Sequence, residues 1–150
     1  KTVFDKLPTL KNERWVSVGR LDFNTSGLLL FTNSGEYANE LMHPKSNIER
    51  IYILKIKNKL TESILKKLTN GIILDKKKSR FNNISLYNIN NKSKYFWYQV
   101  SCTEGRYHFV KKMFLHFDIE IDKLKRVQYG KYILPSNLNP GEYTVLAPIK

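Results

Sequence analysis

Apolar residues in this chain come in short runs of strand length, each cut off by turn-forming residues, and that constrains the fold most. Trp15-Val16-Ser17-Val18 and Leu28-Leu29-Leu30-Phe31 are bounded by Gly, Asn, Thr and Ser. Both read as short strands. Residues 49–58 alternate imperfectly between apolar and polar, which predicts a strand with Tyr52 near one end. Ile72-Ile73-Leu74 predicts another short strand. A longer strand pair is expected over about 81–89 and 95–103, joined by the turn-type linker Asn90-Asn91-Lys92-Ser93-Lys94. Tyr95, Phe96, Trp97 and Tyr98 are consecutive, so within a strand they must alternate between two faces. Further strands are expected over about 119–129, 131–134 and 143–147.

Helical spacing is rarer. Ser34 can cap a helix over 36–42 that turns Ala38, Leu41 and Met42 inward and ends at His43-Pro44. Thr61 can cap a second, which ends at Asn70-Gly71. A third is expected over about 107–117, with Tyr107, Val110, Phe114 and Phe117 at helical spacing. Strands outnumber helices, and the helices are not interleaved regularly enough for a doubly wound parallel sheet. The expected class is α+β with a mixed, mainly antiparallel sheet. Residues 1–14, with Pro8 and scattered charges, read as an irregular lead-in. There is no internal repeat, low-complexity tail or evident domain boundary. One domain over 1–150 is expected, and 41% hydrophobic residues suffice for a real core.

Charge and cysteine content narrow the function classes. Twenty-six basic residues against 13 acidic give a net charge of +13. That excess points to a polyanionic partner. Twenty of the 26 are Lys, and Asn and Ile are also abundant, so AT-rich codons account for part of the bias. No apolar run approaches the ~20 residues of a bilayer span. No basic amphipathic helix suited to a membrane surface stands out, and no secretory signal is evident. The single cysteine, Cys102, excludes an intrachain disulfide and a Cys-based metal site. A reducing, cytoplasmic setting is expected.

No nucleotide-binding glycine loop and no nucleophile–His–acid context is present. His43, His108 and His116 lack the Cys or carboxylate spacing of a metal site. His108 reads as a surface or packing residue. What remains is Gly19-Arg20-Leu21-Asp22, on a loop between two strands. Asp22 is the only carboxylate between Glu13 and Glu36. Two readings are open at this point: a catalytic carboxylate, or a turn Asp bonding nearby backbone, which is the commoner use. One carboxylate, scattered aromatics and many cations suit metal-free chemistry on a nucleic acid, with Arg20, Arg106 or Lys111 keeping Asp22 ionised. A base drawn from RNA needs a flat wall. Tyr52 is the best-placed candidate, with a core-edge aromatic as the plainer reading. Lys76-Lys77-Lys78 can bind phosphates, although a bare lysine run is more often a solvated loop.

The motifs then add up. Gly19-Arg20-Leu21-Asp22, Thr25-Ser26-Gly27-Leu28-Leu29-Leu30 and Thr32-Asn33-Ser34-Gly35 are followed by Leu41-Met42-His43-Pro44 and Glu49-Arg50-Ile51-Tyr52. Thr103-Glu104-Gly105-Arg106 leads into Val110-Lys111-Lys112-Met113-Phe114. Arg126-Val127-Gln128-Tyr129-Gly130 and Leu138-Asn139-Pro140-Gly141-Glu142-Tyr143 close the series. In order and extent this resembles the RsuA/RluB/RluE/RluF family of ribosomal RNA pseudouridine synthases.

The resemblance implies a mixed central sheet with flanking helices and a basic cleft, and an isomerase acting on ribosomal RNA as a monomer without metal or other cofactor. It implies that Asp22 is catalytic, that Tyr52 stacks on the target base and helps proton removal from C5, and that Lys111 pairs with Asp22. It implies that Arg20 helps open the RNA and occupy the vacated space, and that Val110 forms an apolar wall. Arg106, Lys112, Lys76, Lys77 and Lys78 complete the expected RNA-binding set. Phe109 stands where the family often has Gln or Glu, which removes one expected polar contact. Tyr107-His108 looks like the small-subunit (RsuA) branch. Phe4-Asp5-Lys6-Leu7-Pro8, Arg14-Trp15, Tyr129-Gly130 and Leu134-Pro135 look like the large-subunit (RluB) branch, which is favoured. Family members usually carry a small N-terminal RNA-binding domain, so this chain is expected to be the catalytic domain of a longer protein. Two other readings remain: an RNA-binding module without catalysis, and a sugar glycosidase. The glycosidase is disfavoured because it lacks an obvious second carboxylate.

Overall fold

A computed structural model describes residues 2–89, 94–106 and 108–147. It has the expected α+β architecture. Its main sheet runs β10(Tyr132–Ile133), β9(Lys123–Tyr129), β4(Arg50–Ile56), β8(Phe96–Cys102), β7(Asn83–Ile89), all antiparallel. β2(Thr25–Gly27) adds to β9 in parallel, which makes the sheet mixed. β1(Val16–Val18) and β3(Leu30–Thr32) pair separately, and β5(Ile72–Leu74) with β6(Lys77–Ser79) forms a small hairpin.

Alternation along β4 and β8 explains the larger core. Leu54, Ile56 and Val100 are fully buried, and Tyr98 buries its ring while its hydroxyl accepts the Leu60 N–H at 2.9 Å. α2(Glu62–Asn70) and α3(Phe109–Leu115) cover this face through Leu68, Phe109, Val110, Met113 and Phe114. Thr61 caps α2 by accepting the Ile64 N–H at 3.2 Å, and Gly71 closes it with φ +124°. A smaller cluster of Val18, Leu28, Ala38, Tyr129 and Tyr132 lies under α1(Gly35–Met42). Ser34 caps α1 through the Tyr37 N–H at 3.1 Å, and His43 leaves it in extended geometry before Pro44.

Several expectations need correction. Thr25-Ser26-Gly27 is not loop but strand β2. Its polar, glycine-ended sequence carries no strand signal, and the pairing comes from β9, far along the chain. Gly27 is required there: φ is +112°, and a Cβ would fall 2.1 Å from the Arg126 carbonyl oxygen. Leu28 and Leu29 precede the strand proper, which starts at Leu30. Met42 is exposed, with its sulfur 3.0 Å from the Gly19 N–H. The lysine run is not an open loop. Asp75 and Lys76 turn tightly with φ +52° and +65°, and Lys77 and Lys78 lie in β6. The third helix shortens to 109–115, with Tyr107 outside the described residues, and the strand expected from 119 begins at Lys123. Residues 143–147 form no regular strand. In the 90–94 linker, residues 90–93 lie outside the described residues.

Candidate active site

Asp22 opens a β-turn whose carbonyl accepts the Thr25 N–H at 2.9 Å. Gly19, at φ +72°, swings the chain out of β1 into this loop. After the turn, β2 zips onto β9, and the Leu28 N–H donates to the Arg126 carbonyl at 2.8 Å. The Asp22 loop is therefore clamped at both ends.

The carboxylate, 18% exposed, meets α3 and its leading residue. Oδ1 lies 3.2 Å from His108 Nε2, and Oδ2 lies 3.9 Å from Lys111 Nζ. α3 buries Phe109, Val110, Met113 and Phe114, which leaves Lys111 on the flank that meets Asp22. His108 reaches Asp22 because it adopts a left-handed conformation, φ +54° and ψ +29°, just ahead of the helix. This geometry is uncommon for a side-chain-bearing residue.

Tyr52 is half-buried on β4, in register with Arg126 on β9. Burial pushes its hydroxyl above the usual tyrosine range, against the opposing pull of the Arg126 guanidinium. Tyr52 therefore stays a neutral phenol at physiological pH. Arg126 is almost fully buried. Its Nε donates to the Leu28 carbonyl at 3.0 Å, and its Cζ sits 5.1 Å from the Tyr129 ring centroid. It lies close enough to Tyr52 to pull on its hydroxyl, and its Nη2 is buried with no partner among the described residues. Among the described residues, no hydrogen bond or ion pair joins Tyr52 to Asp22 or Lys111. The link is indirect, running from Tyr52 through Arg126 to Leu28 and so to the end of the Asp22 loop.

The remaining candidates divide between scaffold and surface. Arg20 is exposed two residues before Asp22. Arg106 is fastened inward. Its Nη1 donates to the Leu74 carbonyl at 3.2 Å, and Nη2 donates to the Ser79 hydroxyl. Its Nε forms an oblique ion pair with Glu104 at 3.1 Å, and its guanidinium lies over Phe109. Lys112 pairs with Asp75 at 3.1 Å, and Lys77 lies 3.9 Å from Glu104. These contacts dock the β5–β6 hairpin on α3 and the segment leading into it. Lys76 and Lys78 are exposed, with the Lys78 stem over Gly71.

Sequence reasoning missed three residues. His108 lacked metal-site spacing, and its left-handed backbone is not visible in one dimension. Arg126 stood in a family motif but in a strand rich in other cations, so nothing marked it as buried beside Tyr52. Arg50 is buried and donates to the Ile48 and Thr103 carbonyls at 2.9 and 3.0 Å and to the Tyr129 hydroxyl at 3.0 Å, which in turn donates to the Leu41 carbonyl. An arginine at the head of a strand of large apolar residues was the available signal for Arg50 alone.

An open groove of about 500 Å³ adjoins the site, lined by Asn24, Lys111, Leu115, Ile121, Leu124, Glu120 and Asp122. Lys55 engages Asp122 at 3.4 Å. Among the described residues no three His, Cys, Asp or Glu gather as a metal site, and no helix is long and apolar enough to cross a membrane.

Residues 1–116 match the family model described as RNA pseudouridylate synthase. The chain is 42% identical over 146 residues to ribosomal large subunit pseudouridine synthase B of Buchnera aphidicola, covering 97% of this chain and 58% of that protein. It is also 42% identical over 145 residues to the protein of the same name from Yersinia pestis, covering 45% of it. The chain thus spans about half the length of these relatives. A crystal structure of a pseudouridylate synthase superposes with a TM-score of 0.83 at 27% identity, over 97% of this chain and 62% of that one.

Proposed function

This chain belongs to the RNA pseudouridylate synthase family, and from that premise we propose that it isomerises a uridine of large-subunit ribosomal RNA to pseudouridine. The observation that carries the proposal is the clamped Asp22 carboxylate with His108 on one oxygen and Lys111 on the other. A carboxylate held in place with both oxygens facing side chains is positioned for nucleophilic or basic chemistry.

The target base leaves its stack at a cost of a few kcal/mol. Asp22 then breaks the N-glycosidic bond, by attack at C1′ or by removing the 2′ proton. The freed uracil anion turns and rebonds to C1′ through C5, as the carboxylate leaves C1′ or returns the 2′ proton; water carries off the C5 proton and N1 takes one up. The Tyr52 ring offers a stacking face, and its protonated hydroxyl suits hydrogen-bond donation to the base rather than proton abstraction from C5. No residue here is assigned to hold a metal or cofactor. RNA phosphates fall to Arg20, Lys112, Lys76, Lys77 and Lys78. Arg106 acts one step back, holding the lysine hairpin in place. We also propose a cytoplasmic monomer as the working form.

The test is tritium release from large-subunit ribosomal RNA labelled at uridine C5. The wild type releases tritium, and Asp22→Ala and Asp22→Asn lose at least about a thousandfold. Full release by either variant would end the assignment. Wild-type binding to RNA without release would instead favour the non-catalytic module. Release confined to small-subunit RNA would favour the RsuA-type alternative.

A further inference from the structure

His108 holds a backbone conformation that its own local sequence does not call for. Of the six described non-glycine residues at positive φ, Asn12, Asn47, Asp75 and Asp118 are of types that tolerate it, and Lys76 lies in a hairpin turn. His108, at φ +54° and ψ +29°, has neither setting. Its ring caps no N–H of α3, and at 35% exposure it fills no core position. Its neighbours hold the conformation in place. The Phe109 N–H donates to the Arg106 carbonyl at 3.1 Å, and the Lys112 N–H donates to the His108 carbonyl at 2.8 Å. Arg106 is in turn fastened to the β5–β6 hairpin. Backbone strain fixed by its surroundings collects at functional sites. Here it aims the ring: Nε2 lies 3.2 Å from Asp22 Oδ1. Lys111, three residues on and so on the same side of the helix, faces Oδ2 at 3.9 Å.

We propose that His108 is a positioning residue that fixes the rotation of the Asp22 carboxylate, and so sets the rate of glycosidic-bond cleavage without contributing to RNA affinity. This rests on the pseudouridine synthase reading above. The turn closed by the Thr25 N–H holds the Asp22 backbone, which leaves rotation of the side chain as its remaining freedom. Lys111 ends in an ammonium on a flexible stem and supplies charge with little direction. An imidazole is planar, and its N–H defines one line of approach. A carboxylate only accepts, so Nε2 is the donor in this contact. With Oδ1 held along that line, the remaining lone pairs of the carboxylate keep one direction, as a near-attack geometry requires.

The experiment follows single-turnover tritium release from C5-labelled large-subunit ribosomal RNA by the wild type and by His108→Gly, His108→Leu and His108→Gln. His108→Gly and His108→Leu should slow release at saturating enzyme by about tenfold to a hundredfold, the scale of a misplaced catalytic group. The enzyme concentration giving half-maximal rate should stay within about twofold of wild type, because binding is untouched. Glutamine carries an amide N–H to about the reach of Nε2, so His108→Gln should recover to within about threefold of wild type. Glycine adopts positive φ freely, so His108→Gly should melt within about 4 °C of wild type despite its slow release. A wild-type rate in His108→Gly or His108→Leu overturns the proposal, as does a His108→Gln variant as slow as His108→Leu. A loss confined to the half-maximal concentration also overturns it and makes His108 an RNA contact. A loss that follows melting temperature across the three variants overturns it in favour of a purely structural role. A wild type that releases no tritium overturns the underlying function itself.

Discussion

Cys102 carries a consequence for stability, separate from the active site. It is fully buried at the end of β8, and burial pushes its thiol from 9.0 up to about 12. Below pH 9 the thiol is protonated in both folded and unfolded chains and contributes no pH dependence. Between pH 9 and 12 the unfolded chain has shed the proton while the native chain keeps it, so stability falls as pH rises, by about 1.4 kcal/mol per pH unit at full slope. Tyr52, also raised by burial, adds in the same direction above its ordinary value of 10.0. Urea midpoints between pH 8 and 11 should therefore decline in the wild type and decline less steeply in Cys102→Ala. At this scale the motifs made Asp22 and Lys111 legible, and the structure places them together. His108 was not legible, because its reach depends on a left-handed backbone that tertiary packing imposes and no local sequence requires. Arg126 acts on Tyr52 only because two strands bring them into register.

The β5–β6 hairpin is secured by interactions of unequal strength. Arg106 supplies the Leu74 carbonyl and Ser79 hydroxyl with donors and sits over Phe109. Lys112–Asp75 and Lys77–Glu104 are partly exposed ion pairs. Exposed pairs contribute about 0–1 kcal/mol, whereas taking a charged donor away from partly buried acceptors costs about 1.5–3 kcal/mol. Arg106→Ala should thus lower stability by about 2 kcal/mol in chemical denaturation, and Lys77→Ala by under about 1 kcal/mol. The hairpin was half legible. Ile72-Ile73-Leu74 announced a strand, but its partner is lysine-rich and its turn uses Asp75 and Lys76 at positive φ rather than glycine. β2 was less legible still, since Thr-Ser-Gly has no periodicity and becomes a strand only against residues 124–126. Both shortfalls share one cause: pairing partners were chosen by tertiary geometry over weak local preference.

For the whole molecule, a net charge of +13 predicts RNA affinity that falls steeply with salt. Lys76, Lys77 and Lys78 are exposed on one small hairpin, which makes them a separable part of that field. Replacing all three with alanine should flatten the slope of log affinity against log salt by up to about 2, at roughly 0.7 for each single-strand phosphate no longer neutralised. Filter binding to ribosomal RNA over a salt series checks this. The α+β class was readable because strand-length runs and capped helices alternate irregularly along the chain. The strand order was not, because β4 finds its neighbours in β8 and β9, which adjacency in sequence does not suggest.

That order also has a consequence for the timing of synthesis. The Asp22 loop closes on Arg126, whose guanidinium binds a carbonyl 98 positions earlier. A ribosome making this chain releases Asp22 about a hundred residues before the strand that fixes its loop. Pairings so distant form slowly, after the loop-closure entropy has been overcome. The nascent chain therefore emerges with Asp22 unanchored, and the loop is fixed only once β9 has been made.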